Sequence, residues 1–325
     1  MAIDKFHSCL GSFLDAFIRQ KQASGYPYKS SARILHCFDS HIAKEFPKET
    51  TITKEMGASW IHLKPGEHPS GLQQRVTPVR QFGKYMNGMG YNVYVIPGHI
   101  TGKRIKYEAH IYTDEELKAF FHAVDHCPIS TFTPTRKYVI PVLFRLLYCC
   151  GLRSSESRLL KKEDMDLTTG RITIRESKGW KARIVYMSKD LLEVCREYDS
   201  IIESMLPGRQ AFFPNKNGSF FSISTIDPWF HKFWDKLPQA SVIVGNSARV
   251  QDFRHGYAVH RLNQWVKEGE NIQALYPYLS EYMGHSNFVS TDYYLSLVEG
   301  FYPEMEHRLS SVNDEILPEV HHEEE

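Results

Sequence analysis

The sequence predicts a mainly α-helical protein of two domains, the second a mixed α/β unit that is mostly helical and carries one small antiparallel β-hairpin. Three observations predict this. Apolar residues recur at intervals of three and four through most of the first hundred positions, and an aperiodic stretch of Pro, Gly and basic residues follows. One later segment, residues 170–187, instead alternates with a period of two. At 325 residues the chain is also longer than one ordinary core accommodates.

The elements follow in order. Residues 6–23 place Leu10, Phe13, Leu14, Phe17 and Ile18 on one face of a helix that ends near Gly25. Ser30 is expected to cap a second helix carrying Ile34, Leu35, Phe38 and Ile42. Residues 51–63 read as a weaker third helix. Residues 72–89 form a fourth, with Val76, Val79, Phe82, Gly83 and Met86 on one side, Arg75, Arg80 and Lys84 near the other, and Gly88 and Gly90 at its end. Residues 1–96 therefore form a small helical bundle, residues 97–110 a linker and residues 111–325 the second domain.

In that domain Thr113 is positioned to cap a helix over the acidic run that follows it, and residues 140–150 form an apolar helix leading into Gly151. Two alternating runs flank Lys178-Gly179-Trp180, which is the signature of a hairpin. Residues 212–215 read as a short extended piece. Residues 303–316, with Met305, Leu309, Val312 and Ile316 in steps of four, three and four, form a last amphipathic helix before a Glu-rich end.

Composition excludes several classes. The chain is 42% hydrophobic and 24% charged, the balance of a folded globular protein, and contains no apolar run of about 18 residues, so no membrane partner is expected. Its start lacks the pattern of a secretory signal, which predicts a cytoplasmic location. The six cysteines include no C-x-x-C pair, and Cys149-Cys150 lies in an apolar run, so buried thiols are expected in place of disulfides or zinc, and no cofactor. The net charge of +1 conceals an asymmetry: residues 1–108 carry +7, residues 109–298 carry +2 and residues 299–325 carry −8. The body of the protein is basic, which suits a nucleic acid.

Four separated clusters need a common explanation: Gly151-Leu152-Arg153-Ser154-Ser155-Glu156, the Lys178 hairpin, Gln251-Asp252-Phe253-Arg254-His255, and Gly284-His285-Ser286 followed by Tyr294. Singly, each has a bland reading as an ion pair, a solvated turn lysine, a helix end or a core tyrosine. Together, in this order and spacing, they resemble the catalytic signature of the tyrosine recombinases, the phage integrase family of site-specific DNA recombinases. The chain is similar to that family in its Gly-Leu-Arg-x-x-Glu start, in Ser-Lys-Gly followed by Arg183-Ile184-Val185, in Asp-Phe-Arg-His, in Met283-Gly284-His285-Ser286, and in a tyrosine nine residues after that histidine. More loosely, Ser24-Gly25-Tyr26 and Val79-Arg80-Gln81-Phe82 resemble the core-binding domains of integrases of bacterial mobile elements.

The residue types fit one reaction. Attack on a phosphodiester builds negative charge on its non-bridging oxygens, and fixed cations must neutralise it. Arg153 and Arg254 suit that task, because guanidinium is always charged and offers two parallel N–H bonds to a phosphate. His285 is a further donor to the same oxygens or to the tyrosine oxygen. The expelled deoxyribose 5′-oxygen needs a proton, and Lys178, which matches the family's hairpin lysine, is the candidate; Lys181 competes for that role and is otherwise a DNA contact. Glu156 is expected to hold Arg153 or His285 in place. Tyr293 and Tyr294 compete as nucleophile, and the interval from His285 selects Tyr294, leaving Tyr293 to pack against the domain.

One position departs from the family, which usually has a histidine three residues before the second arginine. Gln251 stands there. It can donate a hydrogen bond to phosphate but cannot take a proton near neutral pH, and His255, one residue past Arg254, is expected on a different helical face.

The resemblance implies a C-shaped clamp, with an N-terminal helical core-binding domain and a catalytic domain on opposite sides of duplex DNA. It implies covalent 3′-phosphotyrosyl chemistry without metal or ATP, passing through a Holliday junction in a homo-tetramer that synapses two recombination sites. The free protein is expected as a monomer or dimer, in a bacterial cytoplasm and nucleoid-associated when on DNA, with accessory DNA-bending proteins as possible partners. Candidate phosphate contacts are Lys29, Ser30, Ser31 and Arg33 on the second helix, Gln74, Arg75 and Arg80 on the fourth, and Lys103, Arg104 and Lys106 in the linker. The helix at 303–316 is expected to dock on its own domain or on a neighbouring subunit. A type IB-like topoisomerase, and a catalytically weakened relative that only binds DNA, remain as alternatives.

Overall fold

The computed structural model describes residues 6–98, 100, 108–175, 182–241, 248–285 and 289–295, and the chain divides into two compact units, Met1–Lys106 and Tyr107–Glu325. It is mainly helical with one small antiparallel sheet, as the sequence predicts.

Among the described residues the first unit holds four helices, α1 (Gly11–Ala23), α2 (Lys29–Glu45), α3 (Lys54–Ile61) and α4 (Pro69–Gly88). Their apolar faces meet in one core that includes Leu14, Phe17, Leu35, Phe38, Val76 and Phe82. Helix α1 starts later than its apolar pattern suggests. The buried Asp39 carboxylate accepts from the Ser8 amide at 3.1 Å and from the His7 amide at 2.6 Å, and Phe6 stacks on His36, so residues 6–8 are tied to α2 outside any helix. Ser30 is not the cap of α2. Tyr28 precedes the helix in the left-handed region (φ 50°), its ring edge-on to Phe17, its hydroxyl donating to Gln81. Tertiary packing of an aromatic ring thus overrides the local capping preference. Thr53 and His68 cap α3 and α4, each accepting from an amide of the first turn.

The second unit opens with α5 (Asp114–Asp125), whose Thr113 and Glu116 form a reciprocal capping box. Helix α6 (Arg136–Cys149) begins four residues before the expected start and carries Pro141 inside it. After the short α7 (Ser154–Arg158), strands β1 (Met165–Asp166), β2 (Arg171–Ile174) and β3 (Arg183–Tyr186) form a three-stranded antiparallel sheet, one strand more than the hairpin alone. Ile172 pairs with Val185 and Ile174 with Arg183, and these four side chains are buried. A charged residue on the inward face of a strand requires a partner there. The remaining helices are α8 (Lys189–Met205), α9 (Ile226–Trp234), α10 (Val250–Lys267), α11 (Ile272–Met283) and α12 (Val289–Leu295).

An aromatic core fixes the start of α10. Phe253 is fully buried, with ring centroids of Tyr112, Phe120 and Phe230 at 4.8, 5.3 and 5.6 Å. Because Phe253 is locked in this core, its neighbours Arg254 and His255 are set in direction by helical geometry. Among the described residues no helix is long and apolar enough to cross a membrane.

Candidate active site

Helices α6 and α11 each end in a left-handed glycine, and both glycines border the same cluster. Gly151 (φ 59°) follows α6, and a Cβ there would stand 2.7 Å from the Tyr257 ring. Gly284 (φ 62°) follows α11; its amide donates to the Glu281 carbonyl and the next amide, of His285, to the Ser280 carbonyl at 3.1 Å. A side chain at Gly284 would crowd Arg183 and Arg153. Each turn leaves a carbonyl that an arginine of the cluster uses.

Arg254 donates through Nη1 to the Gly151 carbonyl at 2.6 Å and through Nη2 to the Met283 carbonyl, and Nη2 faces Nε2 of His285 at 3.5 Å. Burial, and then the positive charge of Arg153, push its pKa down to about 10, so it stays a cation at neutral pH. Arg153, at the start of α7, donates to the Gly284 carbonyl at 2.9 Å and to Glu156 at 2.7 Å. The arginine-to-glutamate step of three residues thus spans the first turn of a helix, where the carboxylate also accepts the Arg153 amide at 2.8 Å.

Glu156 holds a second arginine that the sequence reading did not assign. Arg183 reaches inward from β3 and makes two parallel bonds to Glu156, at 2.7 and 2.8 Å, while its Nε donates to the Tyr282 carbonyl. Burial alone would raise the Glu156 carboxyl, but hydrogen bonds and charge from Arg183, then from Arg153, hold it at about 2. The signal for Arg183 was present in the alternation of β3, where it shares the inward face with Val185.

Tyr294 lies on α12 with 2% of its surface exposed, near two histidine rings: His255 at 5.5 Å and His285 at 5.9 Å between centroids. Burial raises the Tyr294 pKa, and the charges of Arg254 and Arg153 work against that rise. Tyr293 points elsewhere, its hydroxyl accepting the Ala109 amide at 2.8 Å and its ring edge-on to His255. The rotation of about 100° between Arg254 and His255 on α10 directs His255 at α12, so the expected different face is one that still meets the tyrosine. Among the described residues its buried Nδ1 has no partner, and burial lowers its pKa.

The structure thus brings together Arg153, Glu156, Arg254, His285 and Tyr294. Gln251 lies at the start of the same helix as Arg254, half-buried, and among the described residues its side chain makes no hydrogen bond. Lys178, Lys181, Lys103, Arg104, Lys106 and the 303–316 segment lie outside the described residues. In the first unit Lys29, Ser30, Arg33 and Gln74 are exposed and Ser31 is half-buried. Arg75 and Arg80 are engaged within their own unit. Arg75 pairs with Glu67 at 2.7 Å, donates to the Trp60 and His62 carbonyls and covers the Trp60 ring, and Arg80 donates to the carbonyls of Ile96, Pro97 and Gly98.

Residues 111–299, more than half the chain, match the phage integrase family. The chain belongs to this family, that of the tyrosine-type site-specific recombinases. It is 29% identical over 301 residues to y4rE of Sinorhizobium fredii, named as an integrase/recombinase, covering 90% of this chain and 93% of that one. Its fold is that of the Tn1549 transposon integrase in complex with transposon right end DNA (TM-score 0.63, 13% identity, 93% of this chain and 99% of that chain). It is also that of a lambda integrase tetramer bound to a Holliday junction (TM-score 0.60, 14% identity, 88% of this chain and 76% of that chain). The family match contains every element that builds the cluster, from α5 to α12.

Proposed function

We propose that this recombinase cuts and rejoins DNA strands at specific sites through a transient 3′-phosphotyrosyl bond to Tyr294. One observation carries the reading: two guanidinium groups, Arg153 and Arg183, share a single carboxylate, Glu156, and a third, Arg254, is held beside them by backbone carbonyls, next to a buried tyrosine. Such a cluster keeps an excess of positive charge in a water-poor place, where a phosphate approaching transition-state charge gains most. Arg153 and Arg254 bind the non-bridging oxygens, and Glu156 and Arg183 brace Arg153 from behind; by the family resemblance the reaction needs neither a metal ion nor ATP. By the family resemblance, Lys178 protonates the leaving 5′-oxygen.

The unit Met1–Lys106 acts as the core-binding domain and Tyr107–Glu325 as the catalytic domain, clamping the duplex with the linker cations Lys103, Arg104 and Lys106 along its backbone. Strand exchange proceeds through a Holliday junction in a tetramer; the lambda integrase tetramer bound to such a junction supports this by its shared fold alone. The segment 303–316, expected from its periodicity to be helical, couples neighbouring subunits.

A second reading, a relative that binds DNA without cutting it, is favoured by Gln251 alone. One experiment separates the two: incubation with a pool of nicked duplexes of randomised core sequence, followed by denaturing electrophoresis. The proposal expects a denaturant-stable protein–DNA adduct that Tyr294→Phe abolishes and Tyr293→Phe retains. Retarded DNA on a native gel without any adduct would leave the binding-only reading in place.

A further inference from the structure

With glutamine at position 251, the tyrosine proton needs another acceptor, and the partners of His285 point to one. His285 Nδ1 lies 2.7 Å from the hydroxyl of Thr291, which donates onward to the Ser280 hydroxyl at 3.1 Å. Thr291 is fully buried and Ser280 nearly so. The other ring nitrogen, Nε2, faces Arg254, and a guanidinium has only donors to offer. Nε2 must therefore present its lone pair, Nδ1 must carry the proton, and the chain runs His285 Nδ1–H to Thr291 to Ser280. Ser280 also accepts the His285 amide through its carbonyl, so ring and backbone are referenced to one residue of α11.

We propose that Thr291 is a positioning residue that holds His285 in the Nδ1–H tautomer, so that Nε2 accepts the proton of Tyr294 during DNA cleavage. This rests on the recombinase reading above. The arrangement is productive because the His285 and Tyr294 rings stack with centroids 5.9 Å apart while Arg254 faces Nε2, which sets proton donor and acceptor side by side next to one guanidinium. In the step, the Tyr294 O–H bond breaks and its proton goes to Nε2. The tyrosine oxygen bonds to phosphorus, and the 5′-oxygen leaves with a proton from Lys178. Rejoining reverses each transfer and returns His285 to neutrality.

The surroundings keep His285 neutral beforehand. Burial, followed by the charges of Arg254 and Arg153, lowers its pKa to about 4, with His255 and Arg183 adding to the effect. The imidazolium formed in the step sits among those cations and is offset by the charge of the phosphate. His255 is the rival acceptor, but its Nδ1 has no partner among the described residues to fix a tautomer.

The test combines two measurements on the full chain. Nitrogen-15 spectra of histidine-labelled protein, with the His285 signal assigned by its loss in His285→Gln, report the tautomer without any DNA. Single-turnover adduct formation on nicked duplex reports the chemistry and its pH profile. Wild type should show His285 as Nδ1–H. Thr291→Val should move it toward Nε2–H and slow adduct formation by about tenfold or more, part of what a general base contributes, and displace the acid limb of the profile; Thr291→Ser should restore both. Ser280→Ala gives a milder version should the valine variant not fold. A wild-type His285 carrying its proton on Nε2 overturns the inference whatever the rates, as does a Thr291→Val protein with a changed tautomer and an unchanged rate. Absence of any adduct from wild type with the Nδ1–H tautomer intact would instead overturn the recombinase reading.

Discussion

Arg75 of the first unit and the arginines of the candidate site in the second are used in opposite ways. In the first unit Arg75 meets Glu67 one to one, stacks on Trp60 and bonds two carbonyls, so its charge is cancelled and its donors are committed to the fold. In the second, Arg153 and Arg183 divide the single carboxylate of Glu156 while Arg254 is braced by carbonyls, which carry no net charge. A balanced pair contributes stability and little else, whereas an unbalanced cluster stores an affinity for an anion at some cost to the fold. The difference teaches where to look for chemistry: at arginines whose hydrogen bonds are satisfied but whose charge is not.

The strongest way to break this comparison is at the shared carboxylate. Glu156→Gln should destabilise the second unit by about 3–5 kcal/mol, the usual result of leaving buried charge uncompensated. Because the folded carboxyl sits near 2, below its ordinary 4.5, its contribution is fully present above about pH 4.5 and is lost as pH falls toward 2. Urea midpoints of wild type and variant should therefore differ at neutral pH and converge in acid. Equal midpoints at neutral pH would show that the three arginines do not depend on Glu156.

Arg254→Ala should slow adduct formation by at least the roughly 3–4 kcal/mol of a lost oxyanion donor, or about two to three orders of magnitude, while DNA retention changes far less. The rate is to be read on protein shown to be folded, because Arg254 also ties the Gly151 and Met283 carbonyls. A variant that loses binding and cleavage in equal proportion would make Arg254 an anchor for DNA and not a group acting on the reacting phosphate. At the next helical turn, Gln251→His should keep or raise the cleavage rate, and a lower rate would show that the pocket is built around glutamine itself.

Much of this was legible in the sequence, and the remainder has physical causes. Gly151, Arg153, Glu156, Arg254, His285 and Tyr294 were legible through the resemblance to the tyrosine recombinases, whose motifs they match in order and spacing, although each alone had a bland reading. Arg183 was visible only as an inward position in an alternating strand, since its partner is 27 residues away. Thr291 gave no signal: a threonine in a short helix becomes a histidine's partner only when α11 and α12 fold together. The same limit explains Ser30, displaced as a cap by the packing of Tyr28, and the start of α1, set by Asp39 from the next helix. For Arg75 and Arg80, likewise, an amphipathic pattern places a cation near the polar side without revealing the carbonyls, or for Arg75 the glutamate, that it meets across the fold.

The smallest effect sharpens the comparison inside the first unit. Arg33 is exposed on α2 and, among the described residues, makes no ion pair or hydrogen bond, whereas Arg75 is closed by Glu67. Only a cation whose charge is uncancelled can displace counterions from DNA. Arg33→Ala should therefore weaken DNA binding across sequences and reduce the slope of log affinity against log salt by about one, with little change in thermal stability. Arg75→Ala should do the reverse, lowering the melting temperature while leaving the salt slope intact, because it removes a packed ion pair and a stacked guanidinium. If the Arg75 variant lost the salt slope and the Arg33 variant did not, charge balance would be the wrong guide to which arginines of this fold meet phosphate.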